Sequence, residues 1–220
     1  MRRAFAVALA TLGITAAGAA QDERSVTLPQ QQFTPPPAGS YALPPIQPAP
    51  RGRVLDDKGR AISLGGLLSG RITLLSFVYT HCTDPAGCPL AFTTLAAVRD
   101  RLATQPVAAR AQLVSLSFDP EYDTPDVMRM FSKTYGAAER KPAWHFLTTA
   151  SNADLAPLLA GFGQDAAPVD TKGARVLDHT LRVFLIDRHS RVREIYSSAY
   201  LMPEVIVNDI LTLAAEGTTR

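Results

Sequence analysis

The stretch Phe77-Val78-Tyr79-Thr80-His81-Cys82-Thr83-Asp84-Pro85-Ala86-Gly87-Cys88-Pro89 holds both cysteines of the 220-residue chain and joins two contrasting patterns. Upstream, Ile72 to Tyr79 is nearly continuous apolar, β-branched or aromatic, as in a central strand buried on both faces. Downstream, Phe92, Leu95, Val98 and Leu102 recur at helical offsets, and Pro89 sits in the first turn that proline favours. A strand therefore hands over to a helix through a loop that carries two thiols. This pattern admits a redox pair, a soft-metal site or a structural disulfide.

Working outward, the same alternation repeats. Val54 to Leu64 reads as two short strands about the turn Asp56-Asp57-Lys58-Gly59-Arg60. Leu113 to Phe118 is a second buried strand, and Thr124-Pro125-Asp126 supplies an N-cap, an N1 proline and an acid for a helix carrying Val127, Phe131 and Tyr135. Trp144 to Thr148 is a strand, and Asn152 is expected to cap a helix bearing Leu155, Leu158, Leu159 and Phe162. Leu181 to Asp187 and Val192 to Tyr196 are strands about a polar turn, and a helix from about Pro203 closes the chain. These elements predict an α/β domain with a mixed central sheet flanked by helices.

The N-terminus carries Arg2-Arg3, then an uncharged, Ala-rich run to Ala20 and polar Gln21-Asp22-Glu23-Arg24. The run is short for a spanning helix and has small residues at its end, so residues 1–20 are expected to be a cleaved signal peptide. A membrane anchor is the alternative if the segment stays uncleaved. Residues 21–50 hold eight of the 17 prolines beside Gln30-Gln31-Gln32 and are expected to be a proline-rich linker, leaving 51–220 as one domain. Loss of residues 1–20 removes two arginines, so the mature chain carries 20 basic and 20 acidic side chains. A neutral chain has no broad attraction for nucleic acid or anionic lipid. Nothing demands more than a monomer. Export to an oxidising compartment favours a disulfide between the cysteines unless their position argues otherwise.

It does argue otherwise. Cys88 immediately precedes Pro89, so its sulfur is expected at a helix N-terminus, where free N–H groups and the dipole favour thiolate. A third ligand can be sought among the four histidines. His179, between Asp178 and Thr180 at the mouth of a strand, could face the loop, and two thiolates with an imidazole suit copper. His81 should point away from Cys82 on the strand end. His145 reads as a sheet-edge residue and His189 as a solvated turn residue. Met128, Met130 and Met202 do not cluster as a thioether site would. Asp119 and Asp123, in the loop after the second strand, either border the site or shape the turn before the next helix, and the turn is the favoured reading because Asp123-Thr124-Pro125 also explains itself as helix initiation.

Phe77-Val78-Tyr79-Thr80-His81-Cys82 with Cys88-Pro89, Val114 to Pro125, Trp144-His145-Phe146-Leu147-Thr148, and Asp178-His179-Thr180 before Phe184-Leu185-Ile186-Asp187 resemble the Sco/SenC family from about Val54 to Leu213. The resemblance implies a thioredoxin-like fold, a periplasmic or membrane-tethered location, and copper, Cu(I) or Cu(II), bound by Cys82, Cys88 and His179. It further implies copper delivery to, or thiol reduction of, the binuclear copper site of cytochrome c oxidase subunit II, with a thiol reductant as a further partner. In the redox alternative Cys82 and Cys88 are catalytic and His179 is dispensable. Family members usually place three residues between the cysteines, whereas this chain places five.

Overall fold

The structure, a computed structural model, describes residues 26–136, 140–165, 167–171, 174–178 and 180–216, with backbone alone at 167–171 and 174–178. His179 and residues 1–25 lie outside them. The strands are β1 (Gln47–Pro48), β2 (Arg53–Asp56), β3 (Ala61–Ser63), β4 (Ile72–Val78), β5 (Ala111–Ser117), β6 (Ala143–Thr148), β7 (Ala167–Thr171), β8 (Ala174–Asp178), β9 (Arg182–Ile186) and β10 (Arg191–Ser197). The helices are α1 (Leu64–Leu68), α2 (Cys88–Leu102), α3 (Pro125–Thr134), α4 (Asn152–Phe162) and α5 (Pro203–Ala215).

All but β7 and β8 form one sheet in the order β1-β10-β9-β4-β5-β6-β2-β3. The three central strands β4, β5 and β6 are parallel, β9 is antiparallel to β4, and β2 is antiparallel to β6. This is a mixed, thioredoxin-like α/β sheet. Every residue of β4 and β5 is buried, which explains why those segments lack the polar alternation of a half-exposed strand. The apolar side chains divide between two layers. Leu74, Leu113, Trp144 and Phe146 share the face of the sheet that carries Phe92 of α2 and Tyr135, whose rings stack with those of Trp144 and Phe146. Phe77 and Phe184 share the other face and pack edge-on with Phe162 of α4.

Two buried polar groups tie layers together. Arg99, 2% exposed, donates to the carbonyls of Tyr135, Gly136, Arg140 and Pro142, so one α2 guanidinium secures the passage from α3 to β6. Gln112 donates to the Leu67 carbonyl and the Thr73 hydroxyl, tying α1 to the sheet. A buried donor left unpaired costs about 1–3 kcal/mol, so such bonds mainly avert a loss.

The proline-rich segment expected as a linker is docked. Gln47 and Pro48 pair with Val192 and Arg191, making β1 the sheet edge, and Leu43 and Ala49 are core residues. The Leu43 carbonyl accepts from Arg193, whose guanidinium also pairs with Asp187 and Glu216. Further back, Tyr41 and Tyr196 donate to the two oxygens of Asp209, and Asn208 donates to the Pro36 carbonyl. Proline composition signalled an extended chain; the extended chain finds an open strand edge and a polar helix face. Two smaller differences appear. The N-cap of α4 is Ser151, whose hydroxyl accepts from the Asp154 N–H, and not Asn152, which is the first helical residue. The separate antiparallel pair β7–β8 is not among the elements the sequence predicts, although Lys172-Gly173 is a turn signal between Ala167 and Asp178. Among the described residues no helix is long and apolar enough to cross a membrane.

Candidate metal centre

The loop after β4 is built by short-range bonds. The Cys82 N–H reaches back to the Tyr79 carbonyl, the Asp84 side chain accepts from the Ala86 N–H, and the Gly87 N–H closes on the Asp84 carbonyl. This folds the five intervening residues into a compact turn and brings the sulfurs together. Gly87 is the N-cap of α2, with Pro89 in the first turn as expected. A Cβ at Gly87 would stand 3.3 Å from the Cys82 sulfur and from two oxygens of Asp84, so a side chain there would press on the turn.

Both cysteines are free thiols and they differ sharply. Cys88 is 1% exposed, and its sulfur accepts from the Tyr79 N–H at 3.4 Å. Burial, and then its bond to Cys82, push the Cys88 thiol well above the ordinary range. Cys82 is half-buried and is held down to about 5, chiefly by accepting the hydrogen bond of the Cys88 thiol, against the opposing effect of burial. The Cys88 N–H, the Tyr79 side chain and the Asp84 N–H add to it. This corrects the sequence expectation. The helix start does favour a thiolate, but first on the neighbouring sulfur: while Cys82 carries the charge, burial and the bond to Cys82 keep the proton on Cys88, which serves as the donor, and its backbone N–H faces Cys82.

The loop is anchored at its other end by Asp123. This carboxylate is fully buried and accepts from the Thr80 N–H at 3.1 Å, from the Thr80 hydroxyl and from the Ser117 hydroxyl. Burial raises its pKa, and the bonds from Ser117 and Thr80 counter that rise. Asp123 shapes the turn as expected, its N–H donating to the Asp119 carbonyl before Thr124 caps α3, and its side chain in addition joins the β5–α3 connection to the cysteine loop. Asp123-Thr124-Pro125 also explains itself as helix initiation, so the sequence favoured the turn over the alternative that Asp123 borders the site.

His81, expected to point away from Cys82, lies among aromatic rings beside the loop. Its ring packs on Tyr79 and on the exposed Tyr122, centroids 4.8 and 4.3 Å away, with Nε2 3.7 Å from a buried Asp119 oxygen. His189 is a turn residue whose Nε2 accepts from Arg188, and His145 lies on β6, its pKa lowered by burial and then by nearby Arg71. Among the described residues no three His, Cys, Asp or Glu side chains gather as a metal would require. Thr180, the described neighbour of His179, leads into β9, where Val183 pairs with Ser76 two residues before the end of β4.

A parallel strand–loop–helix unit with two contacting thiols at its junction, in a mixed sheet covered on both faces, defines a dithiol protein of thioredoxin-like fold. The profile of the SCO1/SenC family matches residues 53–215, and the chain belongs to that family. Among solved structures, the chain is similar to Arabidopsis thaliana ScoI with copper bound, at 20% identity over 76% of this chain and 98% of that one, with a TM-score of 0.66. It is also similar to Bradyrhizobium japonicum ScoI with copper bound, at 27% identity over 74% and 96%, with a TM-score of 0.61. A third is BsSco, described as a Sco-family cytochrome c oxidase assembly protein with a disulfide switch, at 22% identity over 80% and 97%, with a TM-score of 0.61. No curated protein matches the chain significantly.

Proposed function

We propose that this chain is a periplasmic copper chaperone that carries copper on Cys82, Cys88 and His179. Its client is the binuclear copper site of cytochrome c oxidase subunit II or a related copper enzyme. The observation that carries the reading is the thiol pair in mutual contact, one sulfur half-exposed and held as thiolate, the other a buried neighbour. Soft sulfur donors suit Cu(I), and an imidazole would add the nitrogen that suits Cu(II). The entry of the chain into β9 at the cysteine end of the sheet supports His179 as the third ligand. The copper held by the Arabidopsis and Bradyrhizobium relatives, and the assembly role of BsSco, support the cargo and the client. Copper is the cargo here. Transfer needs no change in its oxidation state, because partner thiolates replace the protein's sulfurs one at a time.

A second reading is thiol–disulfide exchange, favoured by the same asymmetry. The Cys82 thiolate would attack a client disulfide, releasing one client thiolate and forming a mixed disulfide. Cys88, losing its proton, would then attack the Cys82 sulfur, releasing the second client thiolate and leaving a Cys82–Cys88 disulfide for a thiol reductant to reopen.

Anaerobic Cu(I) titration of the reduced chain in competition with a chelator separates the two, for the wild type and for Cys82→Ala, Cys88→Ala and His179→Ala. The chaperone reading expects one tightly held copper, weakened in all three variants. A wild type that competes no better than the cysteine variants overturns it. Reduction of a disulfide client that survives His179→Ala supports exchange.

A further inference from the structure

A groove of about 750 Å³ lies away from the cysteine loop, between β6 on one side and the β2–β3 hairpin with α1 on the other. Its wall is an incomplete sheet. β6 is six residues long, but β2 pairs with it only at Leu147 and Thr148. Among the described residues no backbone bond joins the outer edge of Ala143 to Phe146 to any other segment. In a parallel pair, alternate residues turn their N–H and C=O to opposite neighbours, so this stretch offers unpaired ladder groups to the groove. Ile62, Leu67 and the β6 residues themselves supply apolar walls.

Cations outnumber carboxylates at the groove. Lys58, Arg60, Arg140 and Lys141 line it against Asp56 and Asp57. Asp56 is ion-paired with Arg60 and accepts from the Lys58 N–H, while Asp57 keeps its charge and accepts, among the described residues, only a hydroxyl bond from Ser132. Arg140 pairs with Asp100 outside the groove. Lys58 and Lys141, both exposed, have no carboxylate partner among the described residues. Ala143 lies level with Gln112 and Thr73. That is five residues before the end of β4, or about 17 Å along the strands from the cysteine loop, while Phe146, level with Ser76, is separated from the loop by two strands laterally.

We infer that the groove is a second interaction surface, which receives an extended, acidic segment of a partner protein as an added strand on the outer edge of β6. The free ladder groups would supply the backbone pairing, the apolar floor would receive alternate side chains, and Lys58 and Lys141 would select acidic residues. This surface is independent of metal or thiol chemistry at Cys82 and Cys88.

The test uses the full mature chain, isotopically labelled, with a peptide of alternating glutamate and valine as the probe. Saturable shifts are expected across Ala143 to Phe146, with added exchange protection at the alternate amides of that stretch that face the groove. The combined substitutions Lys58→Glu and Lys141→Glu should weaken the acidic peptide about tenfold, equivalent to about 1.4 kcal/mol, and strengthen its lysine–valine counterpart. A fully N-methylated acidic peptide should not bind, and Cys82 alkylation should be unchanged in the lysine variants. Failure of the acidic peptide to shift these amides, equal binding of the N-methylated version, or shifts confined to the cysteine loop would overturn the inference. So would concentration-dependent dimerisation through the same amides, which would make a second copy the occupant.

Discussion

Asp123 accepts both the backbone N–H and the hydroxyl of Thr80, so a single buried carboxylate ties the start of the cysteine loop to the connection between β5 and α3. Asn at this position keeps the volume but replaces one acceptor oxygen with a donor facing Ser117 or Thr80. Asp123→Asn should therefore cost about 1–3 kcal/mol in a urea unfolding curve. Faster amide exchange is expected at Thr80, with α4 unaffected. A clamp without energetic consequence would leave both measurements at wild-type values.

The two thiols should separate by reactivity. Cys82 is half-exposed and held down to about 5, while Cys88 is buried and pushed up. Iodoacetamide should label Cys82 first, with a pH profile whose midpoint lies far below that of an ordinary thiol at about 8.5, and leave Cys88 intact until the chain unfolds. The lowered Cys82 contributes stability that is lost as pH falls through about 5, whereas the raised Cys88 acts with the opposite sign, its contribution declining as pH rises past the ordinary thiol range. Mass spectrometry after timed labelling distinguishes this order from simultaneous modification.

Gly87→Ala should report on the closeness of the turn. Its φ is negative, so the constraint is contact with the Cys82 sulfur and Asp84 rather than a left-handed backbone. Crowding of this kind costs about 1–3 kcal/mol if the turn is retained. The expected signature is a higher pH midpoint for Cys82 labelling, because a displaced sulfur loses donors. An unchanged midpoint would mean that Asp84 alone yields.

The docked N-terminal segment should contribute to stability through Tyr41. Tyr41→Phe removes one donor to Asp209 and should cost about 0.5–1.5 kcal/mol. Burial raises the Asp209 pKa, against the bonds from Tyr196 and Tyr41, so its ionised form is disfavoured in the folded state. The stability it contributes is greatest below the ordinary aspartate range and declines as pH rises through its folded value. Asp209→Asn should flatten that decline, read from urea midpoints across acid to neutral pH. A slope equal to wild type would place the dependence elsewhere.

Much of the architecture is local and was therefore legible. Continuous apolar residues from Ile72 to Tyr79, the recurrence of Phe92, Leu95 and Val98, and Pro89 and Pro125 at helix starts each encode an element through side-chain period or a fixed φ, without knowledge of distant neighbours. The cysteine pair at the strand–helix junction, and with it the family, belongs to the same class of information. Tertiary structure decided what depended on partners remote in the chain. Proline composition could not show that Gln47 pairs with Val192, because the acceptor edge exists only once β10 is in the sheet. Asp123 became a clamp because folding places Thr80 against it, and Lys58 and Lys141 share a groove only because β2 leaves β6 after two pairs. The clearest division falls within the opening loop. Sequence placed a thiolate at the helix start; folding buried Cys88, turned it into a donor and moved the charge to Cys82. Ionisation depends on burial and on which donors surround each sulfur, and those are properties of packing rather than of order along the chain.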